Sequence, residues 1–233
     1  MKQKVGAIIQ ARTSSSRLPK KVLKRIGKYQ VIDWVINRTK NSKLCNTVVL
    51  ATTDEETDDT LASKSEELNI NLFRGNKENV LLRYIESAKI NNIDIIVRVC
   101  ADRPFIDPEF IDDAIIYYLN NNYDLVFNHN ALLNTTWPRG FGVEVFSLNL
   151  LEKIYQEKLN NEYLEHVTSY VWENSEKYSI NSSPYKFKNN TPFDSIKLDL
   201  DTPNDFKEIK KIEDNITLNS NAFEIINKYL QTK

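Results

Sequence analysis

The sequence has few of the residues that stabilise small folds through disulfides or bound metal ions. Its 233 residues include two cysteines, two histidines, five glycines and one methionine. Two cysteines without a pairing framework indicate a reducing compartment rather than a disulfide scaffold. No histidines and cysteines have zinc spacing, and no Gly-x-Ser-x-Gly elbow is present. A chain of this length buries enough surface to fold without a disulfide or a metal.

Long hydrophobic runs and an excess of one charge are also missing. The apolar run at residues 5–9 is too short for a signal peptide, and no later stretch reaches the roughly 18 apolar residues of a membrane span. The chain has 31 Lys and Arg against 32 Asp and Glu, a net charge of -1, whereas nucleic-acid-binding domains are strongly basic. We therefore expect a soluble, cytoplasmic protein that binds neither membranes nor nucleic acids.

Strand and helix patterns alternate through the first half of the chain. Short runs rich in β-branched residues predict strands, and amphipathic segments of about 12–15 residues predict helices. This alternation is typical of βαβ units with a mostly parallel sheet. The predicted strands are Val5–Gln10, Thr47–Thr52, Asn71–Phe73, Asp94–Val99 and Asp124–Asn128, and the predicted helices are Val31–Leu44, Glu55–Leu68, Glu78–Asn91 and Pro108–Asn120.

The second half of the chain is less regular. It follows a mostly polar loop at residues 129–141 and contains two strand patterns and four helix patterns. An open α/β sheet binds ligands at the carboxyl ends of its strands, so we expect the site there. The predicted strands are Gly142–Phe146 and Ser195–Leu200, and the predicted helices are Leu148–Leu159, Glu162–Glu173, Pro203–Ile212 and Asn221–Leu230.

Basic and hydroxyl side chains crowd the loop after the first strand. From Arg12 to Lys21 there are two arginines, two lysines, four hydroxyl residues and no acid. Guanidinium groups, an ammonium, hydroxyls and backbone N–H groups are what a polyphosphate needs. The Walker A pattern is absent. A solvated basic turn is the alternative, and the position at the end of strand one favours a phosphate site.

Aspartates follow two other predicted strands. Asp102 lies beside a proline-containing turn, and Asp201 precedes Pro203. One or two carboxylates suffice for Mg²⁺ when a triphosphate supplies further oxygens. Asp102 could instead cap the next helix, but Asp107 is better placed for that role. For Asp201, a plain N-cap of the helix that begins with Pro203 is a serious rival to a metal ligand.

These segments together resemble the cytidylyltransferase family. The loop at residues 9–21 resembles its I-Q-A-R-x-x-S-x-R-L-P-x-K signature, although the family commonly has Gly at Ser14 and Lys20. The segment A-D-R-P-F-I-D at residues 101–107 resembles G-D-x-P-L-I-D, and the segment at residues 201–206 resembles D-x-P-x-D-L. The nearest branch is that of the spore coat polysaccharide biosynthesis protein F, and 3-deoxy-manno-octulosonate and acylneuraminate cytidylyltransferases are related.

Three further segments extend the resemblance. Residues 74–84 resemble R-G-x-x-x-D-V-L-x-R-Y, residues 138–146 resemble P-x-G-x-x-x-E-V-F, and residues 165–168 match E-H-V-T. For Arg83 a surface salt bridge with Glu86 or Glu78 is an equal alternative, and His166 could be a packing residue.

The resemblance assigns roles to residues of this chain. It implies catalytic roles for Arg12, Lys21, Asp102 and Asp201, and metal binding by Asp102 and Asp201. It implies nucleotide contacts for Gln10, Ala11, Arg12, Ser15, Arg17, Lys21, Thr53, Arg74, Arg83 and Asp102. It implies acceptor contacts for Arg139, Glu144, Glu165 and His166.

The resemblance also implies a fold and a reaction. We expect a single Rossmann-like, three-layer α/β domain over residues 1–233, of the nucleotide-diphospho-sugar transferase type. Residues 1–128 would form the nucleotide-binding half, and residues 129–233 the half that binds the acceptor and completes the metal site. The expected reaction joins CTP to an anionic sugar and releases pyrophosphate. It would use Mg²⁺ or Mn²⁺ in a homodimer that serves polysaccharide or glycoconjugate biosynthesis.

Two other functions remain open from the sequence. Asp199-Leu200-Asp201 is formally a D-x-D motif, which suggests a metal-dependent glycosyltransferase that consumes a nucleotide sugar. The basic first loop fits a free triphosphate better. A catalytically inactive nucleotide-binding partner protein is the third interpretation, and the presence of all four expected catalytic residues speaks against it.

Overall fold

A mostly parallel sheet runs through the computed structural model, which describes residues 3–128, 137–184 and 196–233. Within these ranges seven strands form the sheet in the order β5-β4-β1-β6-β8-β7-β9, and β2 and β3 pair as a separate short hairpin. The strands are β1 (Val5–Gln10), β2 (Arg25–Ile26), β3 (Tyr29–Gln30), β4 (Thr47–Thr53), β5 (Asn71–Gly75), β6 (Ile95–Cys100), β7 (Leu125–Phe127), β8 (Glu144–Ser147) and β9 (Ile180–Ser182).

Helices cover the faces of this sheet and follow its strands along the chain. Short 3-10 turns lie at Lys21–Leu23, Glu56–Asp58 and Glu213–Asn215. None of the helices in the described ranges is long and apolar enough to cross a membrane. The α-helices are α1 (Val31–Lys40), α2 (Asp59–Glu67), α3 (Val80–Ile90), α4 (Pro108–Leu119), α5 (Leu148–Tyr155), α6 (Asn161–Glu165), α7 (Ser169–Glu173), α8 (Pro203–Lys210) and α9 (Ala222–Leu230).

The first strand lies near the middle of the sheet. It pairs in parallel with β4 on one side and with β6 on the other. β4 pairs in parallel with β5, whereas β8 runs antiparallel to both β6 and β7. The carboxyl ends of β1, β4 and β6 therefore meet at one edge, where loops of an α/β sheet bind ligands.

Apolar residues cover both faces of the sheet, because side chains alternate along each strand. On one face Ala7 and Ile9 pack in a cluster with residues of α1 and α4. On the other face Ile8 packs with residues of α3 and α5. Each fully buried Val, Leu, Ile or Phe contributes about 1.5–3 kcal/mol. The two clusters explain why nearly continuous apolar strands were readable in the sequence, and the three layers confirm the α/β expectation.

A third apolar cluster joins the first loop to the C-terminal part of the chain. Leu18 and Ile26 pack there with Phe141, Leu198 and Leu200 among other residues. Backbone hydrogen bonds connect the same regions, because Arg139 N donates to Ile196 O at 2.9 Å and Leu198 N donates to Arg139 O at 2.9 Å. The C-terminal segment is thereby held against the edge of the sheet where the first loop lies.

Two expectations from the second half are wrong. Residues 196–200 make only an isolated bridge between Arg139 and Lys197 rather than a strand, and residue 195 lies outside the described ranges. The helix expected over 162–173 is two short helices, α6 and α7. Its chain turns at His166, and the Thr168 hydroxyl donates to Glu144 instead of facing solvent.

The sequence patterns also missed β2, β3 and β9. Each has two or three residues, too few to show a period of two.

Candidate active site

A buried carboxylate fixes the first loop. Asp58 Oδ1 accepts hydrogen bonds from the backbone N of Thr13 at 2.7 Å and from its hydroxyl at 2.6 Å. The hydroxyls of Thr52 and Thr53 donate to Oδ2 at 3.2 and 2.5 Å. Burial by itself raises the pKa of Asp58, but these hydrogen bonds outweigh it and hold the pKa below its usual range. The loop therefore leaves β1 in a defined direction.

A tight turn then brings Lys21 into the site. Lys20 has φ 54° and ψ 32°, the left-handed conformation that L-residues with a side chain rarely adopt. Its backbone N donates to Thr13 O at 3.1 Å, which closes the loop. The 3-10 turn that begins at Lys21 directs its side chain back towards the end of β6.

Two aspartates meet at the ammonium group of Lys21. Its Nζ lies 2.7 Å from Asp102 Oδ2 and 3.2 Å from Asp201 Oδ1. Leu200 N donates to Asp102 O at 2.8 Å, and this backbone bond brings Asp201 beside Asp102. Burial disfavours the charged ammonium, but the two carboxylates outweigh it and raise the pKa of Lys21. The two acidic segments that lie far apart in sequence therefore converge.

Asp201 is not the N-cap of α8. The cap is Thr202, whose hydroxyl accepts from Asp205 N at 3.2 Å. The Asp205 carboxylate accepts from Thr202 N at 2.7 Å, which completes a capping box. Since Arg17 also donates to Asp201 Oδ1 at 3.1 Å, the Asp201 carboxylate faces the first loop rather than its own helix. Asp107 caps α4 by accepting from Glu109 N, as expected.

A first cavity of about 310 Å³ lies over the carboxyl ends of β1 and β6. Arg12 crosses it to Glu165, with Nη2 2.8 Å from Oε1. The positive loop therefore faces carboxylates on two sides before any ligand binds. The cavity is lined by Gln10, Ala11, Arg12, Ser14, Ser15, Ser16, Arg17, Lys21, Val22, Arg98, Cys100, Ala101, Asp102, Glu165 and His166.

A second cavity of about 230 Å³ adjoins the first, and Arg98 and His166 line both. Arg139 also lines the second cavity, where its Nη2 lies 2.8 Å from Asp199 Oδ2. Glu144, the remaining acceptor residue expected from the resemblance, lies there too. The two cavities thus form one cleft, with a basic loop at one end and charge-paired arginines at the other.

Three of the expected nucleotide residues line neither cavity. The Thr53 hydroxyl is bound to Asp58. Arg74 donates to the carbonyl oxygens of Thr53 and Glu55 at 2.9 Å each. Arg83 is only 1% exposed and donates to Asn76 O at 3.1 Å, so its interpretation as a surface salt bridge is wrong. Glu165, expected on the acceptor side, lies in the first cavity with Arg12.

Most of the chain matches a single protein family. A family model described as cytidylyltransferase matches residues 6–226. The chain belongs to the cytidylyltransferase family. The spore coat polysaccharide biosynthesis protein SpsF of Bacillus subtilis is 34% identical over 212 residues, which cover 88% of this chain and 84% of SpsF.

Solved structures agree with this cytidylyltransferase assignment. A cytidylyltransferase from Leptospira borgpetersenii serovar Hardjo-bovis is 31% identical with a TM-score of 0.90, and the match covers 99% of this chain and 95% of that one. A CMP:2-keto-3-deoxy-manno-octonic acid synthetase solved with CTP shares the fold at 16% identity and a TM-score of 0.67, over 91% of this chain and 99% of that one. The resemblance and the Rossmann-like fold expected from the sequence are confirmed.

Sequence reasoning missed several residues that line or support this cytidylyltransferase cleft. Asp58 looked like one acid among many near a helix start. Arg98 had a readable signal, since it is the one charged residue within the apolar strand β6. Thr168, the residue before α7, and Trp172, on α7, both donate hydrogen bonds to Glu144. No local sequence pattern displays such a contact between distant segments.

Proposed function

We propose that this chain transfers the nucleotidyl group of CTP to an anionic sugar in surface polysaccharide or glycoconjugate biosynthesis. The observation that carries the proposal is the convergence of Asp102 and Asp201 on Lys21, within a loop rich in phosphate-binding groups. Membership of the cytidylyltransferase family supports CTP as the nucleotide. The second cavity would hold the sugar next to the nucleotide.

Positioning and electrostatics would carry the reaction. An acceptor oxygen forms a bond to the α-phosphorus in line with the bond that breaks, and pyrophosphate leaves with the electron pair. Arg12 and Lys21 would hold the outer phosphates and offset the charge of the leaving group. A sugar phosphate has a second pKa of about 6 and attacks without a base, whereas an anomeric hydroxyl must give up its proton.

The two aspartates fit a divalent cation. Their oxygens both approach one ammonium group, so they lie close enough to share a positive ion. Among the described residues no group of three or more His, Cys, Asp or Glu forms a metal site. Asp102 and Asp201 would hold Mg²⁺ or Mn²⁺ together with phosphate oxygens, because one or two carboxylates suffice when a triphosphate supplies the other ligands. The ion would polarise those oxygens and stabilise their developing charge.

The arrangement is less suited to the alternative glycosyltransferase. The D-x-D carboxylates divide between two sites, because Asp199 pairs with Arg139 and Lys197 while Asp201 pairs with Lys21 and Arg17. An inactive partner protein would not need both aspartates beside the loop lysine.

A pyrophosphate-release screen tests the proposal. CTP, UTP, GTP and ATP are each offered with sugar phosphates and keto-sugar acids, and CDP- and UDP-sugars are offered separately with sugar acceptors. We expect pyrophosphate only with a free triphosphate, most with CTP, and none after EDTA until Mg²⁺ or Mn²⁺ is added. Glycosyl transfer from a nucleotide sugar, or nucleotide binding without turnover across the panel, would refute it. Light scattering of the same sample tests the homodimer that the family resemblance implies.

A further inference from the structure

Three arginines line the second cavity, and they differ in how their donors are used. Arg139 pairs with Asp199. Arg103 donates through Nη1 to Gly142 O. Arg98 pairs with Glu144, with Nη1 2.6 Å from Oε2. Only the last of these arginines also lines the first cavity.

Arg98 stands where the two cavities meet. It lies within β6 on the same face as Cys100, two residues before the strand ends, and it is the only charged residue of that strand. A guanidinium on this face would otherwise lie among apolar side chains. Its place at the junction is where an acceptor would meet the nucleotide under the proposed function.

One edge of this guanidinium is occupied, and the other has no partner in the part of the chain that the structure describes. Nη1 donates to Glu144 Oε2 and to Thr168 Oγ1, the latter at 3.2 Å. Nε is buried and has no partner among the described residues, and no bond from Nη2 occurs in the same ranges. The Nε and Nη2 donors form the planar fork that binds a carboxylate or phosphate bidentately.

Glu144 is fully used by the protein. Oε2 accepts from Arg98 and Thr168, the latter at 3.0 Å, and Oε1 accepts from Trp172 Nε1 at 3.1 Å. Burial raises the pKa of Glu144, but the adjacent Arg98 outweighs this and keeps it below its usual range. A carboxylate held this way has no oxygen to spare for a sugar, and its charge would repel an anionic one. It fixes Arg98 instead.

A purely structural ion pair explains these contacts less well. A buried pair generally gains little over well-packed apolar residues of similar volume, and this pair lies in a layer where its neighbours Ile8, Ile96 and Phe127 are apolar. The pair with Glu144 engages Nη1 alone, at the place where the two cavities meet. The unused edge points to a ligand.

We propose that Arg98 binds the anionic group of the acceptor through the guanidinium donors that do not bond to Glu144 or Thr168, and that Glu144 is a positioning residue that fixes the guanidinium at the junction of the two cavities. The proposal rests on the proposed transfer to an anionic sugar. The group bound is a carboxylate or a phosphate, both of which match a guanidinium fork.

The test compares substrate binding by the intact protein and by variants at this pair. Arg98→Gln alone would leave Glu144 buried without its partner, so the principal variant is the charge-neutral double substitution Arg98→Gln/Glu144→Gln. Arg98→Lys keeps the charge but loses the fork. Lys89→Gln/Glu152→Gln, which removes an exposed ion pair that lines neither cavity, is the matched control. Circular dichroism confirms folding of each.

The measurement is calorimetry with CTP and Mg²⁺ present, using 3-deoxy-manno-octulosonate as a keto-sugar acid and glucose 1-phosphate as a sugar phosphate. We expect the wild type to bind at least one probe, and the double variant and Arg98→Lys to bind it about 10- to 100-fold more weakly. CTP affinity should stay within twofold in every variant. Where turnover occurs, KM for the sugar should rise and KM for CTP should not. The probe that binds identifies the carboxylate or phosphate class.

Each outcome separates this inference from the proposed reaction. Probe binding that depends on Arg98, together with no turnover across the whole acceptor panel, supports the inference and refutes the reaction. Turnover with a KM for the sugar unchanged in the folded double variant overturns the inference and leaves the reaction standing. Binding of neither probe to the wild type, or an equal loss of CTP affinity in the variants, also overturns it.

Discussion

At the scale of single residues, the carboxylates of Asp102 and Asp201 act together if the proposal is correct. Each single substitution to Asn should lower turnover about 100-fold or more, because a metal ion supplies several kcal/mol and about 1.4 kcal/mol is tenfold in rate. The double variant should be hardly worse than either single one, since both act through one ion. Turnover of the three variants, with circular dichroism to confirm folding, checks this. Near-normal turnover of Asp201→Asn would remove it from the metal site.

The buried carboxylate of Asp58 predicts a pH dependence of stability. Its pKa is lowered in the folded protein, so its contribution is present above the ordinary carboxyl pKa of about 3.9 and is lost as pH falls through the lower folded value. Asp58→Asn should reduce the free energy of unfolding by about 1–3 kcal/mol at pH 7, and the gap to wild type should narrow below about pH 4.

Urea unfolding at several pH values measures this gap, and exposed Glu66→Gln on α2 is the matched control. A gap that stays constant with pH would mean that the Asp58 charge does not matter. Weaker CTP binding by Asp58→Asn would show in addition that the anchor orders the first loop.

Lys20 is a residue whose backbone conformation suits glycine. A residue with a side chain costs about 1–2 kcal/mol in the left-handed region. Glycine avoids this cost, but its greater conformational freedom in the unfolded chain cancels part of the gain in stability. Lys20→Gly should therefore raise the free energy of unfolding by up to about 1 kcal/mol. Lys20→Ala, which keeps the strain and removes the ammonium, is the control. Equal stabilities of the two variants would contradict the strain argument.

At the scale of elements, the capping box of α8 separates a structural role from a chemical one. Thr202→Ala removes the cap and should cost about 1 kcal/mol, which lowers the melting temperature by roughly 2–4 °C in a chain of this size. Turnover should not change, because the hydroxyl faces its own helix. Thr202→Ser should restore the melting temperature. The opposite pattern, with lost turnover and an unchanged melting temperature, would place Thr202 in the cleft chemistry.

Elements were predictable where they carry a strong local signal. The strand β1 and the start of α4 follow from β-branched runs, a proline at N1 and Asp107 as N-cap. Residues 196–200 alternate like a strand, yet they lie beside Arg139 with one isolated bridge, because tertiary contacts of Leu198 and Leu200 decide their path. The break between α6 and α7 depends on Thr168 reaching Glu144, and no sequence period records such a contact.

At the scale of the whole molecule, a buried arginine ties the C-terminal segment to the first helix. Arg38 donates to the carbonyl oxygens of Ile106, Leu218 and Ser220 at 2.6–2.9 Å, and its Nη2 lies 3.5 Å from Asp107. Burial outweighs Asp107 and lowers the pKa of Arg38. Removing one partner of a buried pair costs about 3–5 kcal/mol. We expect that loss in Arg38→Met by urea unfolding.

Arg38→Lys is the matched variant for this tie, because it keeps the charge but loses the fork that reaches three carbonyls. It should recover only part of the loss. A loss below about 1 kcal/mol in Arg38→Met, within the range of a single ordinary hydrogen bond, would show that the C-terminal segment holds by its apolar contacts alone.

The assembled cleft was only partly predictable from the sequence, because contacts between distant segments leave no local pattern. The first loop, Asp102 and Asp201 were readable because each is a short motif at the end of an element. Arg98 and Asp58 act through partners 46 and 45 residues away, and the distance between such partners is decided by how the layers pack.

The central place of β1 in the sheet leaves one of its edges unpaired during much of the chain's synthesis. The ribosome releases β1 before its sheet neighbours, whose strands begin only at Thr47 and Ile95. At about 5–20 residues per second, roughly 5–20 s pass before the last of them emerges. An apolar strand edge is unpaired throughout that interval and is open to pairing with other chains. A chaperone that holds extended apolar segments would therefore meet residues 5–10 well before the cleft exists.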